Sequence, residues 1–495
     1  MKKILFISHK INRGGAQLLL KNIIQGLDRS KLDCHVWAPE DGELKQEYES
    51  SKIPVYIKDF AIDQINREQA IKFNDDILKQ VKKVISECKK HRKKLAIRCA
   101  GTITTKLLNE FDFSEIDLVG IFDNNPALFG RDINGYKIYP VNELDKLNVN
   151  SIIIAHAQPE FLKRELQAKK IKIYNIFSES KFKKFQKSVN YLVNLLKPAS
   201  FFAQINPDIV FANNAISFWA VIVGKLLGKK TIWAIHEAFE PKTFRVFPHF
   251  LYLQSFKFAD KFIFPSKATY DYYKDFVPAS KANIIYNGID INCIEEYKSL
   301  NFPIDTRREL NIPDNHVIVC NVGTMDEIKG QIYLIKAAIN LLNSSDNKNF
   351  AFIIVGDPNN EYSQNIKLLI EESGFKSHFR IIPVTNNVYK FLNITDIYIT
   401  SSFKETFCIA NIEAMAFNKP VIATNVCGIP ETIEHNNTGI LISLTNMEKH
   451  IEENIKWLLE NPKVMDKLAQ NAYENVLNNF TFKKSLEKYE KTILS

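Results

Sequence analysis

The sequence predicts an α/β fold of parallel sheets spread over two or three domains. Three observations carry that reading. At 495 residues the chain exceeds one ordinary domain. Short apolar runs at residues 3–8, 34–38, 55–57, 208–212 and 231–235, and again at 317–322, 351–355, 381–384, 396–400 and 421–424, alternate with segments of helical period. Strand, crossover helix and next parallel strand leave that alternation. The pattern breaks once, at residues 63–92, where Ile71, Leu78, Val81, Ile85 and Cys88 line one face of a long charged helix. A compact set of strands and helices follows to residue 174, so a small α/β unit is expected as an insert over 63–180.

Composition narrows the function classes. Hydrophobic residues at 45% and charged residues at 24% are ordinary for a folded soluble protein. The formal charge of +9 suits anionic substrates or an acidic membrane surface. No dense arginine cluster or nucleic-acid motif occurs, so nucleic acid is not an expected partner. The seven cysteines are scattered, odd in number and never spaced C-x-x-C. That argues for a reducing compartment and against disulfides or structural zinc. The first apolar run is too short for a signal peptide, and Gly224 and Lys225 interrupt the nearest approach to a membrane span at 216–227. A cytoplasmic protein is expected.

One stretch organises the chain. Residues 396–400 read as a buried strand, 401–405 as a loop, and a helix is expected to start near Thr406 and end before Pro420. Loops at the carboxyl ends of parallel strands bind ligands, and first-turn N–H groups make an anion site, here those of Thr406, Phe407 and Cys408. From Cys408 to Phe417 the helix is apolar all round except for Asn411 and Glu413, which marks it as buried. Two carboxylates, Glu405 and Glu413, thus flank a buried helix start.

Glu405 and Glu413 are separated by seven residues and followed by Ala-Met-Ala, and this resembles the E-x7-E signature of retaining GT-B glycosyltransferases, glycosyltransferase family four. The resemblance covers about residues 1–60 and 200–495. It implies two Rossmann-like parallel-sheet domains facing a cleft, with the third Rossmann-like unit inserted. The expected domains are 1–62 with 181–290, the insert 63–180, and 291–479 for nucleotide-sugar binding, with 480–495 crossing back. It also implies that Glu405 contacts donor-sugar hydroxyls, that Glu413 accepts from the nucleotide ribose, and that the backbone of Thr406, Phe407 and Cys408 holds the diphosphate.

Other candidates follow in chain order. Gly14-Gly15 sits at a strand-to-helix turn, where backbone can approach a ligand closely; in the family this loop closes over donor phosphate and acceptor. In the insert, Asp123 stands where a dinucleotide fold would hold a ribose, but the first turn keeps only Gly101 of three expected glycines. That favours a structural or regulatory insert over a cofactor site. Residues 179–197, rich in Lys and Phe, form a basic amphipathic helix that packs on its domain or rests on an anionic membrane. His236 and Glu237 end an apolar strand at the sheet edge; the family's histidine at that point approaches donor sugar or acceptor. The aromatic-rich segment 239–258 is core or an acceptor- or lipid-facing surface, and Asn287-Gly288 suits a hinge.

In the second half the loop after residue 322 carries Gly323, Thr324 and Lys329. Lys329 matches the family's phosphate-binding lysine, whereas Thr324 stands in the position of its usual arginine. Val384 ends the strand expected to meet the nucleotide base, and residues 428–431 resemble a further family loop.

The activity these features imply is transfer of a hexosyl unit from a nucleoside-diphosphate sugar to a glycan or lipid-linked acceptor in cell-surface polysaccharide biosynthesis. Anomeric configuration would be retained, without metal or other cofactor, and an anionic membrane surface is among the expected partners. A nucleotide-sugar epimerase and a non-catalytic scaffold subunit are the competing readings.

Overall fold

The computed structural model describes residues 1–60, 62, 75–124, 128–155, 166, 169, 171–174, 181–244, 246–300, 303–344 and 348–495. The start of the expected charged helix, the expected helix at 159–168 and the side chains of residues 75, 76, 102 and 181–185 lie outside that description. The chain divides into one compact unit of residues 1–63 and 194–495 and a second of residues 64–193. The second unit thus ends at 193 rather than at the expected 180.

The larger unit holds two parallel sheets. The first runs Ala282–Ile284, Lys261–Phe264, Lys230–Ala234, Ile209–Asn213, Lys2–Ile7, Leu32–Ala38 and Val55–Ile57. The second runs Phe379–Pro383, Phe350–Asp357, Val317–Val322, Ile397–Thr400, Val421–Thr424 and Ile440–Ile442. Each sheet is covered by helices on both faces, which is why its strands read as continuous apolar runs. Ile4, Phe6 and Ile232 of the first sheet pack with Ile23 of helix Gly15–Gly26 and with Tyr489 and Ile493 of the last helix, Phe482–Leu494. In the second half, Val319, Ile354 and Ile422 pack with Leu334 and Ile451 from flanking helices.

Chain order reverses direction at one strand of each sheet. Lys2–Ile7 lies between Ile209–Asn213 and Leu32–Ala38, and Val317–Val322 lies between Phe350–Asp357 and Ile397–Thr400. Loops leaving such strands spread apart and open a crevice at the carboxyl edge. The loops carrying Gly14-Gly15 and Gly323-Thr324 leave from these two strands.

Two chain segments connect the halves, and they are hydrogen-bonded to each other. Ile289 N–H donates to the Phe480 carbonyl at 2.9 Å, and Phe482 N–H donates to the Ile289 carbonyl at 2.8 Å. Gly288 makes that approach possible, because a β-carbon there would lie 2.4 Å from the Thr481 carbonyl oxygen.

The smaller unit, described by itself, is a sheet of Asp132–Ile133, Tyr136–Pro140, Leu118–Asp123, Leu95–Arg98, Ser151–Ile154 and Lys172–Tyr174. All its pairings are parallel except Asp132–Ile133 against Tyr136–Pro140. The Asp123 carboxylate accepts the Ala100 N–H of the first turn at 2.8 Å and lies 3.8 Å from the buried Arg98 guanidinium. It braces its own turn.

Gly288→Ala is expected to lower unfolding free energy by roughly 1–3 kcal/mol, the usual cost of overpacking. An unchanged urea midpoint would show that the two crossings do not depend on this contact.

Candidate active site

The crevice of the larger unit contains a cavity of about 500 Å³ whose wall is drawn from both halves. Gly15, Ala16 and His236 come from the first, Asn287 from the connection, and Gly323, Lys329 and Glu405 from the second.

Its centre is an ion pair. Lys329 Nζ lies 2.5 Å from Glu405 Oε1, and the Ser402 hydroxyl donates to the same oxygen at 3.0 Å. Main-chain links bring the two side chains together: Phe403 N–H donates to the Ile328 carbonyl at 2.7 Å, and the Ser401 hydroxyl to the Lys329 carbonyl at 3.1 Å. Lys329 N–H donates to Asp326 Oδ1 at 2.9 Å, closing the turn that carries the lysine. Burial disfavours the ammonium, but the Glu405 carboxylate more than offsets it and holds Lys329 above its ordinary value.

The helix does not start near Thr406. It spans Ile409–Ala416, and Cys408 caps it in the left-handed region at φ 65°. A left-handed residue cannot belong to a right-handed helix, so residues 401–408 cross the crevice as a loop. Phe407 anchors that loop, buried with its ring stacked 5.6 Å from Tyr286. Thr406, Phe407 and Cys408 do line the cavity, but the first-turn N–H groups belong to Ile409 and Ala410, also in the wall. Asn411 N–H is taken up by the Cys408 carbonyl at 3.2 Å.

Residues 304–475 match the model for glycosyl transferases group 1, and residues 141–292 that for Glycosyltransferase Family 4. The chain is 24% identical to the lipopolysaccharide 1,2-N-acetylglucosaminetransferase of Salmonella typhimurium over 294 residues, 57% of this chain and 71% of that protein. It is 27% identical to the O-antigen biosynthesis glycosyltransferase WclY of Escherichia coli over 233 residues, 45% of this chain and 62% of that one. In fold it resembles Anabaena HepE, solved in complex with UDP and glucose, with a TM-score of 0.63, 18% identity and full coverage of both chains. TarM superposes with a TM-score of 0.58 at 17% identity, covering 100% of this chain and 99% of that one. The chain is a GT-B glycosyltransferase.

In this glycosyltransferase the remaining candidates separate by position. Gly15 and Gly323 line the cavity, whereas Gly14 and Thr324 lie outside its wall. Thr324 is exposed and contributes its carbonyl, which with that of Gly323 accepts from Gln331 Nε2 at 3.2 and 3.3 Å. Val384 is 64% exposed and also outside the wall, because its strand is the edge of the sheet. Glu413 is half-buried on the helix and outside the lining, near Tyr389, whose neighbour Val388 is part of the wall.

His236 does line the cavity. Its Nε2 lies 3.0 Å from Asn213 Oδ1, and burial, with His9 nearby, lowers its pKa to about 4, so the imidazole is neutral at pH 7. Glu237 turns away: its carboxylate accepts the N–H groups of Ala215 and His236, at 3.1 and 3.0 Å, and ties two strand ends together. Asn213, Asn321, Gln331 and Ser402 escaped the sequence reading. Their signal was a polar residue at the carboxyl end of an apolar strand or just past a glycine turn. Among the described residues no group of three or more His, Cys, Asp or Glu is arranged to hold a metal.

Burial pushes the Glu413 carboxyl up to about 7, from an ordinary 4.5. A folded-state pKa above the unfolded one means that folding binds protons in this window, so the group's contribution to stability falls as pH rises from about 4.5 to about 7. Glu413→Gln should therefore gain in melting temperature relative to the parent across that interval and hold a constant difference above it. A pH-independent difference would contradict the assignment.

Proposed function

We propose that this enzyme transfers a hexosyl unit from a nucleoside-diphosphate sugar to a glycan or lipid-linked acceptor, with retention of configuration and without a metal. The observation that carries the proposal is the Lys329–Glu405 pair set against the free helix start at Ile409 and Ala410 inside one cavity. Breaking the bond between the anomeric carbon and the diphosphate oxygen places charge on that oxygen. The Lys329 ammonium, on leaving Glu405, and two N–H groups at the helix start stabilise that charge. Glu405, an acceptor only, suits the hydroxyls of the sugar left behind. The acceptor oxygen bonds to the same face of the anomeric carbon, and its proton passes to the departing phosphate oxygen. Neutral His236 closes the far side as a hydrogen-bonding group rather than as an acid.

Relatives named for lipopolysaccharide and O-antigen synthesis support a role in cell-surface polysaccharide assembly, which is part of the proposal. The structures of HepE with UDP-glucose make a uridine nucleotide the first donor to try. Among the described residues no helix is long and apolar enough to cross a membrane. A charge of +9 and the exposed Phe250 and Phe258 support attachment at an anionic membrane face, where a lipid-linked acceptor resides.

In calorimetric titrations with UDP, Lys329→Met should weaken binding roughly 10-fold to 100-fold, the worth of one charged hydrogen bond. Glu405→Gln should bind UDP at least as well as the parent, since it releases the lysine, while transfer from UDP-hexose falls at least ~100-fold. Undiminished UDP affinity in the lysine variant would remove the phosphate role. A thermal-shift series with UDP, GDP and ADP identifies the base, the matching diphosphate giving the largest rise.

A further inference from the structure

Beside the catalytic loop a carboxylate of the second half binds main chain of the first. Glu431 Oε2 accepts the Lys267 N–H and Glu431 Oε1 accepts the Ala268 N–H, each at 2.7 Å. Lys267 and Ala268 follow strand Lys261–Phe264 of the first sheet, whereas Glu431 belongs to the second half. Both oxygens of one carboxylate are thus used on main-chain N–H groups rather than on side chains.

Glu431 is in turn tied to the loop that carries Glu405. It closes the short turn Ile429–Glu431, its N–H donating to the Gly428 carbonyl at 3.2 Å. Gly428 N–H donates to the Glu405 carbonyl at 2.9 Å. A β-carbon on Gly428 would lie 2.0 Å from the Thr406 carbonyl oxygen, so this approach requires glycine. Two further contacts run alongside: the Lys404 ammonium lies 5.1 Å from the Tyr272 ring centroid, and the Tyr272 hydroxyl is 3.8 Å from Cys427 Sγ. Tyr286, at the connection between halves, stacks on Phe407, and its hydroxyl is pushed up to about 12 by burial first and by the Glu431 charge next.

We propose that Glu431 is a positioning residue for transfer: it clasps the first half to the catalytic loop and so sets Glu405 and Lys329 against His236. The proposal rests on the transferase reading above. The carboxylate is not part of the cavity wall; it acts through the Gly428–Glu405 link. With the clasp made, the cavity wall contributed by the two halves has one geometry. With it broken, the halves rock about the connection at 287–289 and the Lys329–Glu405 pair remains intact on its own half. Small misplacements of reacting groups cost up to about 10²-fold in rate while leaving binding on one half untouched.

The test uses the full chain with Glu431→Gln, which keeps one acceptor oxygen but turns an amide against the second N–H, and Glu431→Asp, which keeps the charge one methylene short. Hydrogen exchange by mass spectrometry is read over residues 265–270 and 401–408, UDP affinity by calorimetry, and kcat with UDP-hexose. For the glutamine variant, exchange should rise about tenfold in both segments together. Its kcat should fall about tenfold or more, with UDP affinity held within about twofold and the aspartate variant recovering part of the rate. Unchanged kcat, faster exchange at 265–270 alone, or UDP affinity and melting temperature falling in step with kcat would each overturn the clasp. Should the parent protein turn over no sugar nucleotide at all, the transferase reading fails, and joint or separate exchange of the two segments still decides whether the clasp exists.

Discussion

A lysine and a glutamate that meet at the bottom of a crevice set the terms for the surrounding structure. Removing two charges from water is costly, and their attraction offsets that only with good geometry and further hydrogen bonds. Here the geometry comes from two loops that leave adjacent strands, Val317–Val322 and Ile397–Thr400, and are stitched at Phe403 to Ile328 and at Ser401 to Lys329. Neither side chain is placed by its own helix. Each is placed by main-chain contacts between the loops, so the pair survives only while both loops keep their paths. Left-handed Cys408 and buried Phe407 hold one path, and the turn at Asp326 holds the other.

That arrangement distributes charge unevenly around a cavity whose wall is drawn from both halves. The second half contributes the Lys329–Glu405 pair and the helix start at Ile409 and Ala410. The first half contributes a neutral imidazole and the Gly15 turn, which carry no charge to compete with a leaving group. Electrostatic work is therefore concentrated on one side of the crevice and steric enclosure on the other. The two connecting segments, paired at Ile289 with Phe480 and Phe482, allow the sides to meet without merging their cores.

Much of this was legible in the residue order. Parallel strands buried on both faces have no alternative to apolar runs, so both sheets could be read directly; Glu405 stood out as a carboxylate beside an expected helix start, whereas Lys329 was singled out only by its match to the family's loop. The start of the helix could not. Cys408 adopts φ 65° because the loop before it is pinned by Phe407 against Tyr286, a contact between residues far apart in sequence. That Val384 lies on the edge strand was hidden for a related reason: which strand forms the sheet edge depends on strand order, and strand order leaves no local trace. Asp123 shows the converse, a position matched to a ribose-binding carboxylate that is occupied by its own Ala100 N–H. Asn213 and Gln331 went unnoticed because a single amide at a strand end or a helix start has many ordinary roles.

The most direct measurement is a crystal structure of the protein with an unreactive UDP-hexose analogue. The account predicts that Lys329 Nζ leaves its 2.5 Å contact with Glu405 for an oxygen of the diphosphate, with Glu405 turned to the sugar hydroxyls and the Ile409 and Ala410 N–H groups on phosphate. A bound analogue with the pair still closed, and its diphosphate held elsewhere in the crevice, would contradict it.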